Sequence, residues 1–86
     1  MRVVIPSPLF SYTGGQREID ASGACLADIL QALDARYPGL RHRIVDEQDR
    51  IRAHIRFFVN GEGVSSLQHA LEARDELVIV AALSGG

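Results

Sequence analysis

An α+β fold is predicted by three features of this 86-residue chain. Leu26, Ile29, Leu30, Leu33 and Tyr37 recur at i, i+3, i+4, i+7 and i+11, one apolar stripe of an amphipathic helix. β-Branched runs stand near both ends, Val3-Val4-Ile5 and Val78-Ile79-Val80, and read as strands. Between them the run Ile55-Arg56-Phe57-Phe58-Val59 empties into Asn60-Gly61, the strongest short-range signal for a hairpin turn. Strands, one helix and more strands place a single sheet against a single helix.

Each element has its own justification. Residues 2–10 open as a strand, but Pro6 and Pro8 cannot donate to a sheet ladder and make it irregular. Thr13-Gly14-Gly15-Gln16 is a turn signal, and residues 17–21 alternate polar and apolar, so the two strands form a hairpin. The helix begins after Ser22-Gly23-Ala24-Cys25, with Asp28 in its first turn, where a negative charge suits the dipole. Pro38-Gly39 stops it. Residues 40–45 predict a short helical turn anchored by Leu40, Ile44 and Val45, followed by a loop. After the strand 55–59, Gly63-Val64 makes a brief return strand, and 67–71 reads as one helical turn with Leu67 and Leu71 inward. Arg74-Asp75-Glu76 turns into the last strand, 77–83. A hairpin, a crossing helix and a returning pair of strands describe the β-grasp: a mixed four- to five-stranded sheet packed on one main helix.

Length and composition narrow the function. Eighty-six residues make one domain with a thin core; the division expected is a folded body, 1–83, and a flexible tail, 84–86. The chain is 47% hydrophobic with net charge −2, the balance of an ordinary soluble domain with neither a nucleic-acid nor a membrane partner expected. No apolar run approaches the roughly 18 residues of a membrane span, and no leader pattern opens the chain, so a cytoplasmic location is expected. All nine basic residues are arginine. Residues 41–56 hold five of them against three acids, which reads as a solvated face.

Few side chains point to chemistry. Cys25 is the single cysteine, so no disulfide framework is expected, and at the helix start it reads as a small residue at a cap position. His42, His54 and His69 lack the close pairing of metal ligands and are expected on the surface, and no metal is expected. Phosphate-cradling glycine motifs and a nucleophile elbow are absent from the sequence.

What remains is the sequence Ser84-Gly85-Gly86. A terminal carboxyl has a pKa of about 3.3–3.7, so at neutral pH it is an anion and a poor electrophile. To react it must be activated, most simply by ATP as an acyl-adenylate. With no nucleotide motif here, the ATP belongs to a partner, and no stably bound cofactor is expected. Glycine lets a partner's channel close on bare backbone. Ordering three tail residues costs on the order of 3–6 kcal/mol, so binding must draw on another surface. In the last strand Leu77 and Ile79 share one face and Val78 and Val80 the other. With the first pair on the helix, Val78, Val80 and Leu83, with Phe58, form an uncovered apolar patch suited to docking.

These residues resemble a known family over essentially the whole chain: the ubiquitin-like sulfur carrier proteins of the MoaD/ThiS type. The resemblance rests on Arg36-Tyr37-Pro38-Gly39-Leu40, Phe58-Val59-Asn60-Gly61-Glu62, Asp75-Glu76-Leu77 and Gly85-Gly86. Pro8, the run Thr13-Gly14-Gly15-Gln16 and Ala21-Ser22-Gly23 look like the carrier of the cysteine synthase pathway. The resemblance implies a carrier and not an enzyme. An E1-like adenylating and sulfurtransferase partner converts the Gly86 carboxylate to a thiocarboxylate while Ser84 and Gly85 occupy its channel. A sulfur-accepting enzyme, in the cysteine route a pyridoxal-phosphate enzyme, then takes the sulfur. Molybdopterin, thiamine and tRNA thiolation are alternative destinations. A protein modifier forming isopeptide bonds through Gly86, and a plain interaction domain, are the competing classes. Two positions depart from the family pattern: Arg74 stands where a glycine is usual, predicting a different turn, and Ala81 where a proline is usual, predicting a looser tail.

Overall fold

The computed structural model describes residues 1–81. Five strands, β1 (Arg2–Val4), β2 (Glu18–Asp20), β3 (Ile55–Val59), β4 (Glu62–Val64) and β5 (Glu76–Ala81), form one mixed sheet in the order β2-β1-β5-β3-β4. The β1/β5 pair is parallel, with Val3 opposite Leu77, and every other pair is antiparallel. The main helix α2 (Leu26–Arg36) covers one face of the sheet, joined by the short helix α3 (Leu40–Ile44). The predicted β-grasp sheet and its crossing helix are both present, and β5 lies in the middle.

The core follows the predicted periodicities. Leu26, Ile29, Leu30 and Leu33 of α2 are buried against Val3, Ile19, Ile55, Phe57, Leu77 and Ile79 of the sheet. Each fully buried aliphatic side chain contributes about 1.5–3 kcal/mol. Asn60 and Gly61 take φ values of 51° and 86°, the two positive values of a type I′ hairpin turn between β3 and β4. Asp34 of α2 reaches past the helix end, its Oδ1 accepting from the backbone N–H of Gly39 at 3.2 Å and Arg41 at 3.1 Å. That carboxylate supplies the start of α3 with the acceptor its own N-cap, Gly39, lacks.

Three local expectations are corrected. The sequence predicts an irregular strand through residue 10 and a tight hairpin turn at 13–16. Instead β1 stops at Val4, and the chain makes a 3-10 turn at Ser7–Leu9 and one turn of helix, α1 (Phe10–Thr13), before β2. Pro6 cannot extend the ladder, and Pro8 fits the start of a helical turn. Gly14, at φ 64°, caps α1 from the left-handed region, and the Thr13 hydroxyl is buried where it reaches the Gln16 carbonyl at 3.0 Å. The antiparallel pairing of β1 with β2 is retained.

The second correction concerns 67–71, predicted as a helical turn. The segment forms a turn and an isolated bridge between Ala70 and Cys25. Its carbonyls are committed elsewhere: Leu67 O accepts from Ala27 N–H at 2.9 Å and His69 O from Leu26 N–H at 3.1 Å. These are two of the N–H groups that any helix start leaves without intrahelical partners. Cys25 at the N-cap makes no side-chain cap hydrogen bond, so the neighbouring segment does that task. Leu71 is buried and Leu67 partly so, as expected. Third, the turn before β5 closes one residue earlier than predicted, with Asp75 N–H donating to Glu72 O at 3.0 Å, and Glu76 already belongs to the strand. Arg74 is not among the residues with positive φ, so this turn has no need of glycine there.

Candidate functional site

The sheet face opposite α2 carries the candidate site. Strand alternation turns Phe58 of β3, Val78 and Val80 of β5 and Val4 of β1 to that side. Register aligns them: Val78 is opposite Phe58 on one side and Val4 on the other, and Val80 is opposite Arg56. Phe58, Val78 and Val4 are half-buried, and Val80, at 37%, is the exposed large apolar side chain among the described residues. The structure thus brings together Phe58, Val78 and Val80. Leu83, Ser84, Gly85 and Gly86 lie outside the described residues, as does the predicted boundary between body and tail.

Val4 and Arg56 are the members of this face that sequence reasoning missed. Val4 was legible in principle, because it alternates with the buried Val3 and Ile5; what placed it beside Val78 is the parallel β1/β5 pairing. Arg56 alternates with Ile55 and Phe57 in the same way. Gly63, paired with Phe58, keeps the edge of the patch low, and a Cβ there would meet the Phe58 ring at 3.8 Å.

The two ends of this face differ in charge. At the start of β5, Arg2 is held between Glu18 and Glu76, its Nε 3.3 Å from the latter. The same end carries a hydrogen-bonded joint: Asn60 Nδ2 donates to Asp75 Oδ1 at 2.9 Å, and Asn60 Oδ1 accepts from Glu76 N–H at 3.0 Å. Asp75 Oδ2 also accepts from Glu72 N–H at 2.8 Å. That backbone donor first, and the Asn60 amide second, hold the Asp75 carboxyl below its ordinary range. The joint fixes where β5 begins.

At the other end of β5, Ala81, which alternates with Val80 and so lies on the helix side of the sheet, lines a cleft of about 380 Å³ with Pro8, Leu9, His42, Arg43, Arg52 and His54. The loop that delivers Arg52 is tied by Asp46, whose Oδ1 accepts from the N–H of Gln48 and Arg50, both at 2.9 Å. The Arg50 backbone donor is the leading cause of a lowered Asp46 carboxyl pKa. His42, His54 and His69 are all exposed. Among the described residues no group of three His, Cys, Asp or Glu side chains is arranged to hold a metal ion. No helix of the described residues is long and apolar enough to cross a membrane.

A five-stranded mixed sheet wrapped on one helix, with its last strand in the centre and an apolar face left open, defines a ubiquitin-like β-grasp domain. Residues 3–86 match the model of the ThiS family. The sulfur carrier protein CysO of Mycobacterium tuberculosis is 34% identical over 89 residues, covering 98% of this chain and 96% of that protein. The crystal structure of the Amycolatopsis orientalis BexX/CysO complex contains a chain that superposes with a TM-score of 0.91 at 32% identity, covering 99% of this chain and 98% of that one. SAMP1 from Haloferax volcanii superposes with a TM-score of 0.79 at 31% identity, covering 100% and 98%. The chain belongs to the ThiS family.

Proposed function

We propose that this protein is a sulfur carrier and not itself a catalyst. In this reading an E1-like enzyme binds the open face, takes Ser84 and Gly85 into a channel and adenylates the Gly86 carboxylate with its own ATP. Attack of a sulfide-level sulfur from the donor on the adenylate carbonyl forms the C–S bond, breaks the C–O bond to AMP, which leaves, and yields a thiocarboxylate at Gly86. A second enzyme then takes that sulfur, and cysteine biosynthesis, through a pyridoxal-phosphate acceptor, is the favoured destination. The observation that carries the reading is the near full-length similarity to proteins named as the sulfur carrier CysO. The apolar face beside the end of β5 supports it, since bare glycine backbone offers a partner little to hold.

The test is an intact mass. Incubation with the organism's E1-like enzyme, ATP and a sulfur donor should add the mass difference between sulfur and oxygen, located on the fragment that contains Gly86. An unchanged mass, with the enzyme shown active on another carrier, refutes the reading. Similarity to SAMP1, described as a small archaeal modifier protein, favours one second reading, conjugation of Gly86 to lysines of other proteins. Ladders of higher mass on lysine-containing proteins identify that outcome.

A further inference from the structure

We infer that the cleft where β5 ends is a cationic docking rim that fits an acidic protein surface, the carboxylate-bearing mouth of the enzyme that receives the tail. The inference rests on the carrier reading above and specifies the chemistry of its partner. His42 and Arg43 come from α3, Arg52 and His54 from the segment just before β3, and Pro8 and Leu9 from the 3-10 turn, so three elements converge on Ala81. Arg56, opposite Val80, carries the cationic rim onto the open face beside the apolar patch.

What marks this cluster is its lack of internal neutralisation in a chain of net charge −2. Elsewhere, Arg2, Arg41, Arg50 and Arg74 each pair with a carboxylate, and Arg17 and Arg36 stand singly, over the rings of Phe10 and Tyr37, so that cations without a carboxylate gather only at this cleft among the described residues. Among the described residues, none of the ion pairs involves Arg43, Arg52 or Arg56. Their local bonds go to neutral groups. Arg52 Nε donates to His42 O at 2.7 Å, Arg56 Nη1 to Ala53 O at 2.7 Å, and the Arg43 guanidinium lies 5.8 Å from the centre of the Tyr12 ring. These contacts set orientation without spending charge, and a guanidinium so placed is ready for bidentate pairing with a carboxylate.

The shape of the cleft argues against a single small anion. At about 380 Å³ it is many times the roughly 30 Å³ share of one water, and its cations are spread along the rim. Arg52 and Arg56 line a common hollow, and Arg56 stands opposite Val80 at the patch formed by Phe58, Val78 and Val80, which favours a protein partner: an apolar centre with a charged margin is the usual anatomy of an interface. Charge at such a margin acts mainly on encounter, steering the partner before the short-range contacts form. Here it lies where β5 ends.

The experiment measures association of the whole protein with the E1-like enzyme of the same organism by stopped-flow or surface binding. Raising salt from about 0.1 M to 1 M, which shortens the screening length from roughly 10 Å to 3 Å, should slow association of the wild type. The variant Arg43→Glu/Arg52→Glu should associate at least ~10-fold more slowly at low salt and show a flattened salt dependence. Because Arg52 also holds His42 O, the single variants Arg43→Glu and Arg56→Gln serve where the pair fails to fold, each giving a partial effect. Arg74→Glu, exposed at the opposite end of β5, alters net charge as much as the single Arg43→Glu and should change the rate less than twofold, a size of effect below that of steering. Association that ignores both salt and Arg43→Glu overturns the rim while leaving the carrier reading standing. Equal slowing by Arg74→Glu, or displacement of the enzyme by millimolar inorganic phosphate, also overturns it. No association at all overturns both.

Discussion

Gly23→Ala offers a demanding test of how the helix start is built. An ideal Cβ on Gly23 would stand 2.7 Å from Asp28 Cβ, 3.1 Å from Ile29 N and 3.2 Å from Asp28 C. All three are backbone or first side-chain atoms of α2, and none can swing aside. The loop must therefore retreat from the helix. Retreat strains the bond from Ala24 N–H to Asp28 Oδ2, now 3.1 Å, and the bond from Leu71 N–H to Ala24 O, now 2.9 Å. Overpacking of this kind costs about 1–3 kcal/mol, and a net hydrogen bond about 0.5–1.5 kcal/mol more. A loss of roughly 2–4 kcal/mol is large against the ~4–13 kcal/mol expected for a domain of this length. It corresponds to a Tm lowered by about 10–25 °C. Gly63→Ala supplies the contrast, because its Cβ would make only ordinary contact with Phe58 and strand glycine carries an entropic penalty. It should be neutral or raise stability by up to about 1 kcal/mol. Thermal melts of the two variants decide the matter: a Gly23→Ala protein that melts with the wild type refutes the close-approach argument.

Three further outcomes follow from the described geometry and the carrier reading. Acidification should weaken the Asn60–Asp75 joint. The Asp75 pKa is depressed in the folded state, so its stabilisation is whole above the ordinary value of 3.8 and is lost as pH falls through the lower folded value. Denaturant midpoints measured across that range should fall more steeply for the wild type than for Asp75→Asn, and parallel curves would refute the assignment. Val80→Asp, at an exposed position, should leave the melt within about 1 kcal/mol of wild type yet slow activation by the E1-like enzyme at least ~10-fold, the scale of a docking contact; equal rates would remove Val80 from the docking face. Removal of Gly86 should abolish the sulfur mass gain while leaving the far-UV spectrum and melt unchanged, whereas an unfolded product would make the residue structural.

Much of the fold was legible because its signals are local. The stripe from Leu26 to Leu33 and the Asn60-Gly61 turn each carry their own period or φ requirement, and each stands where predicted. The errors share a different cause. Residues 67–71 carry helical spacing, but their carbonyls cap another element, a tertiary demand that no local pattern records. At 7–13 the prolines signalled interruption correctly, yet a ladder break and a helical start read alike in sequence. The apolar face was half visible: alternation gave Phe58, Val78 and Val80, while Val4 waited on knowing that β1 runs parallel to β5. The cationic cleft was hidden further, because the arginines of 41–56 look like one solvated run until folding separates the paired ones, Arg41 and Arg50, from Arg43, Arg52 and Arg56.

The parallel seating of β5 between β1 and β3 has a mechanical side. Any enzyme that draws the last residues into a channel pulls along the axis of the central strand. A hairpin edge under such a load opens one bond at a time from its end. Here the bonds from β5 run to neighbours on both flanks, five register pairs to β3 and three to β1, and traction along the strand loads them together in shear. The tension is spread across the middle of the sheet. In the carrier reading, a partner that pulls on the chain beyond Ala81 therefore loads the middle of the sheet and not a single edge.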